Sequence, residues 1–123
     1  MLAGLMLTAA LSVASLCWNY SWVNQWRVAE IKDPSIPTTL LLSAPTIEGW
    51  PEGIYGVQLS IVGDIGGEIE ITVENSEPQR LSGKVNWGVT HDWFSKNCNV
   101  TYRPIGKVSG DFRIEYRFHC MPW

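Results

Sequence analysis

No aspartate, glutamate, lysine or arginine occurs before Arg27, so the nine basic and twelve acidic side chains all fall between there and Trp123. Charged residues make up only 17% of the 123-residue chain, against 46% apolar ones. That balance excludes an intrinsically disordered protein, and a net charge of −3 with no basic run excludes a nucleic-acid partner. The length suits one domain.

Groups able to hold metals or cofactors are equally scarce. Three cysteines and two histidines are present, and no CxxC or HxxxH spacing occurs among them. His119 and Cys120 are neighbours in an extended stretch and point to opposite faces, so they and Cys98 converge poorly on a zinc ion. Gly63-Asp64-Ile65-Gly66-Gly67 fits neither dinucleotide nor phosphate-loop spacing and precedes an alternating run rather than a helix. No metal and no cofactor are expected. His91 and Asp92, with Ser95 nearby, are the one acid–base neighbourhood. Adjacent side chains in an extended chain diverge, whereas a catalytic triad converges within hydrogen-bond reach. They read as a polar connection, no catalytic residue is assigned, and the chain is not expected to be an enzyme. A hydrolase using His91 and Asp92 is the competing reading.

What the chain does have begins with the charge-free run at its start. Leu2 to Trp18, rich in Leu, Ala and Met, would make about 25 Å of helix, short of a ~30 Å hydrocarbon core. Continuing the helix to Trp26 supplies the missing length. Trp18, Trp22 and Trp26, four residues apart, then share one face, as interfacial indoles do. Residues 1–26 are therefore expected to be a transmembrane signal-anchor helix in contact with lipid. The alternative is a cleaved leader, with small Ser12 and Ala14 before the cut, although its n-region has no basic residue. A lipoprotein is excluded because Leu16, not a small residue, precedes Cys17. Arg27 and Lys32 place the following part on the cytoplasmic side by the positive-inside rule, but Glu30 and Asp33 dilute them. The cysteines below favour the extracytoplasmic side, which is the one expected.

Residues 27–37 read as a linker, because Asp33-Pro34 and Ile36-Pro37 disfavour helix. Residues 38–123 switch to period two with regular turn signals, which predicts a mainly β domain. About six strands in a small antiparallel β-sandwich or barrel are expected. Val57, Leu59 and Ile61 fold against Val73, Ile71 and Ile69 in a hairpin centred on Ile65, with all six side chains on one face. A second hairpin centred near Ser109 sets Cys98 opposite Cys120, Val100 opposite Phe118, Tyr102 opposite Tyr116 and Arg103 opposite Glu115. Thr38 to Leu42 and the Val85, Trp87, Val89 alternation supply further strands.

In that register Cys98 and Cys120 form a disulfide, since opposed Cα atoms lie roughly 4.5 Å apart. Closing such a loop is worth about 3 kcal/mol and implies an oxidising compartment. Cys17 stays apart as a packing residue.

Charge is unevenly divided. Residues 27–78 carry nine acids and two bases, and residues 79–123 carry seven bases and three acids. Glu68 and Glu70 on one hairpin and Arg103 and Arg117 on the other fall on non-core faces, where they either neutralise each other or meet a charged partner. Seven tryptophans are far above ordinary usage. Trp50, Trp93 and Phe94 lie in connecting segments, where large aromatics mark interfaces or cap the ends of a small domain. Asn19-Tyr20-Ser21 and Asn99-Val100-Thr101 match the glycosylation pattern. Together these features predict a membrane-anchored, non-catalytic accessory subunit or binding module that docks on a membrane or extracytoplasmic protein complex. Its partner-binding candidates are Trp50, Trp93, Phe94, Glu68, Glu70, Arg103 and Arg117. The alternative is a secreted or periplasmic inhibitor or ligand binder freed of its leader.

Overall fold

The computed structural model describes residues 24–45 and 53–120. They form five strands: β1 (Arg27–Ala29), β2 (Thr38–Ser43), β3 (Ile54–Val73), β4 (Gln79–Asp92) and β5 (Asn97–Cys120). All belong to one antiparallel sheet ordered β1-β5-β3-β4, with β2 on the same edge of β5 as β1 but at its other end. The mainly β expectation holds, with five strands in place of about six. The described residues contain no helix, and none long and apolar enough to cross a membrane. The anchor expected over 1–26 lies outside them, apart from residues 24–26, which are not helical.

Neither predicted hairpin forms. β3 runs for 20 residues straight through the Gly63–Gly67 stretch, and β5 runs for 24 residues through Ser109. The two are paired along nearly their whole length, from Val57 opposite Phe118 to Val73 opposite Val100. Where a turn was expected there is a bulge. Gly66 faces Ser109 and Glu68 faces Ile105, so Gly67 alone stands against the three residues 106–108. Unequal residue counts force the pair to bend at that point. Gly67 has φ 101°, and a Cβ on it would run into the carbonyl oxygen of Lys107. Glycine is what permits so close a crossing.

The bend folds the sheet over. One half comprises β2 with residues 97–105, 68–73 and 79–82; the other comprises β1 with residues 109–120, 54–66 and 83–92. Ring contact between Tyr102 and Phe112, 6.3 Å between centroids, joins the two halves of β5 across the interior. Leu40, Leu42, Val57, Leu59, Ile61, Ile69, Ile71, Val73, Val100, Tyr102, Ile114 and Phe118 form one buried cluster. Alternation assigned Val57, Leu59, Ile61, Ile69, Ile71, Val73, Val100, Tyr102 and Phe118 to the core; Leu40, Leu42 and Ile114 join them, and Tyr116, also expected there, is only half-buried. Tyr102 satisfies its buried hydroxyl by donating to the Pro34 carbonyl at 2.6 Å. The 27–37 segment is therefore more than a linker: it contributes β1 and a lid over Tyr102.

The cysteine pairing changes with the register. Cys98 lies opposite Leu42 and Cys120 opposite Ile54, at the two ends of one strand. Both are buried free thiols, so no disulfide joins them. Each packs as a small apolar residue among apolar neighbours. The inference of an oxidising compartment falls with the bond.

Candidate functional site

Folding the sheet over brings distant segments together at its open end. The β3–β4 turn, residues 74–78, is held by the Ser76 N–H donating to the Val73 carbonyl at 2.9 Å, with Asn75 at φ 63°. Asparagine tolerates that left-handed geometry better than most residues. The turn sits beside the far end of β4, where Ser76 Oγ is 3.3 Å from His91 Nε2. Glu74 is tied to β5 twice, its N–H donating to the Asn99 carbonyl at 2.9 Å and its Oε2 accepting from the Asn99 N–H at 3.3 Å.

The β4–β5 connection closes the other side. The Trp93 N–H donates to the Tyr55 carbonyl at 3.2 Å, and its indole Nε1 donates to the Asn97 carbonyl at 2.9 Å. The Lys96 carbonyl accepts from the Ala44 N–H at 2.7 Å, and Ser43 Oγ lies 3.1 Å from Asn97 Oδ1. Between turn and connection is a shallow cleft of about 730 Å³ whose walls include His91, Trp93, Phe94 and Asn99. Trp93 is half-buried and fixed by two hydrogen bonds, while Phe94 projects from the rim with 80% of its surface exposed. An aromatic held out by so well-braced a connection presents apolar surface at little ordering cost.

Of the residues expected to carry function, Trp93 and Phe94 are thus brought together with His91, Asp92 and Ser95. His91 meets Ser76, not Ser95, and faces inward, while exposed Asp92 points to the opposite face of β4. Among the described residues no three His, Cys, Asp or Glu side chains converge as metal ligands. Trp18, Trp22 and Trp50 lie outside the described residues.

Of the charged candidates, Glu70 and Arg103 meet each other, whereas Glu68 and Arg117 find other partners. Glu70 stands between its register partners Arg80 on β4 and Arg103 on β5. Arg103 Nη2 donates to Glu70 Oε2 at 3.0 Å, Arg80 Nε lies 3.5 Å from the same oxygen, and Arg80 Nη1 reaches Glu68 at 3.1 Å. The hydrogen bond from Arg103, reinforced by Arg80, holds the Glu70 carboxyl below its ordinary range. The expected Arg103–Glu115 pair is replaced by this ladder, and Glu115 pairs with Arg113 at 2.8 Å instead. Arg117 Nε donates to Gln58 Oε1 at 2.8 Å, and its guanidinium lies 4.6 Å from the Trp26 ring centroid. Trp26 therefore stacks on the sheet.

Sequence reasoning missed Glu74, Asn75, Ser76, Asn97 and Asn99 as parts of the cleft. Glu74-Asn75-Ser76-Glu77-Pro78 signals a turn, but only the fold-over places that turn beside His91. Comparisons with family models, curated proteins and solved structures found no match, so the site is read from its own geometry.

Proposed function

We propose that the chain is a non-catalytic binding module, a small sandwich of two half-sheets tethered to a membrane by its N-terminal segment, which docks a protein partner at the open-end cleft. The observation that carries this reading is Phe94, 80% exposed on the rim of a cleft whose other parts are tied down by hydrogen bonds. Rigidly presented aromatics beside asparagine and serine groups supply the apolar anchor and polar rim of an interface. The His91–Ser76 contact supports catalysis less well, since a serine nucleophile needs its histidine oriented by an acid and Asp92 points away.

The test is to compare what co-purifies from detergent-solubilised membranes with the wild-type chain and with Phe94→Ala. The substitution is expected to remove specific partners while moving stability by less than about 0.5 kcal/mol, as for an exposed side chain. An unchanged set of partners would overturn the reading.

A further inference from the structure

The sheet ends at β4. Among the described residues β4 pairs only with β3, so the other edge of its 14 residues carries backbone N–H and C=O groups without a strand partner. Long free edges are normally blunted by proline, by a very short strand or by clustered charge. β4 has no proline, and between Lys84 and Asp92 it carries no other Lys, Arg, Asp or Glu. Its inward side chains Val85, Trp87 and Val89 are only half-buried, because no further strand flanks them.

We infer that this edge is a pairing surface for a second copy of the chain, β4 against β4 in antiparallel register about a two-fold axis at Gly88. The commitment to a second copy rests on self-complementarity. Antiparallel pairing about that axis puts Lys84 opposite Asp92 of the other copy, and the two-fold repeats the pair at the other end of the segment. Both charges lie exposed on the outer face, and neither makes an ion pair among the described residues, although Asp64 is the register partner of Lys84 on β3. In the same register Asn86 meets Thr90, and on the inner face Trp87 meets Val89, an aromatic and β-branched cross-strand pair. Gly88 meets itself on the axis, where no side chains compete for space. Shifting the register by two residues in either direction separates Lys84 from Asp92 and loses both charge pairs. The segment from Lys84 to Asp92 spans about 30 Å, and its union would make one sheet continuous through both copies. Isologous contacts of this kind close after two subunits, so the product is a dimer rather than a fibre.

The full chain in detergent micelles, analysed by sedimentation with the detergent density-matched, is expected to have a protein mass twice 13.8 kDa. Lys84→Asp sets like charges opposite each other at both ends and is expected to weaken dimerisation at least tenfold. Combining Lys84→Asp with Asp92→Lys restores the opposite-charge pairs and is expected to restore the dimer, which a merely structural role for either residue would not do. Gly88→Cys places a thiol on the axis, where an added Cβ has only an ordinary contact with the Leu59 carbonyl, and is expected to cross-link the two copies under mild oxidation. Thr90→Cys, away from the axis, is the control. A protein monomeric at every concentration reached overturns the inference. So does a dimer indifferent to Lys84→Asp in which Gly88→Cys cross-links no better than Thr90→Cys.

Discussion

Cys98 is fully buried, and its thiol is pushed up to about 11, chiefly by burial and further by the negative charge of Glu74. Burial also raises Cys120. A thiol whose pKa is higher folded than unfolded keeps its proton in the native state. Its contribution to stability is complete below 9.0 and is lost as pH rises toward 11. Denaturation midpoints measured across that window are expected to fall with pH, and Cys98→Ala to fall less steeply. Tyr102, raised by burial and by Asp33, leaves a residual slope in both proteins. Alkylation gives a second check. Neither thiol is expected to react in the native protein at neutral pH, and both are expected to react in denaturant without any reductant, which a disulfide would prevent. Burial at these positions was legible from alternation, since Cys98 and Cys120 share parity with Val100, Tyr102 and Phe118. Their bonding was not, because it depended on which strand lay opposite.

At the scale of the element, β3 shows why side-chain parity does not determine which strand lies opposite. Val57, Leu59, Ile61, Ile65, Ile69, Ile71 and Val73 are all odd-numbered and all buried. A hairpin about Ile65 preserves that parity, and so does one continuous strand with a bulge at Gly66-Gly67. The core assignment survives either way, while the hydrogen-bond partners do not. The glycines themselves distinguish the two states in experiment. Gly67→Ala must place a Cβ at φ 101° against the Lys107 backbone, whereas Gly83, at φ 70°, has open space where its Cβ would go. The first substitution is expected to cost about 3 kcal/mol or more and the second about 1–2 kcal/mol, the left-handed penalty alone. Chemical denaturation of the two variants checks the difference, and equal costs would contradict the close crossing of β3 and β5. The charge ladder belongs to this scale too. Glu70→Ala leaves Arg80 and Arg103 facing one another, yet surface pairs are weak, so only a small fall in the denaturation midpoint is expected, shrinking further in high salt.

For the whole molecule, the described residues fix where the N-terminal segment leaves the sheet. Asn24 Oδ1 accepts the Cys120 N–H at 3.0 Å, and Trp26 lies over Arg117, so the chain entering β1 is held against the end of β5. That end is also where Ile54 pairs with Cys120 and where the Tyr55 carbonyl holds Trp93. The cleft and the point where Asn24 enters the sheet therefore share one end, an arrangement that period-two reasoning had no means to reveal because it depends on the fold-over. If the charge-free, tryptophan-bearing segment ahead of Asn24 is the tether proposed above, its membrane affinity comes from apolar burial, which salt and alkali do not screen, unlike a surface held by charge. The full chain is accordingly expected to stay in the membrane pellet through high-salt and carbonate washes. Cleavage at a protease site inserted immediately before Asn24 is expected to release the sheet into the supernatant. Recovery of the uncut chain in the carbonate supernatant would remove the tether from the proposed function, while leaving the Phe94 cleft and the β4 edge to be judged by their own experiments.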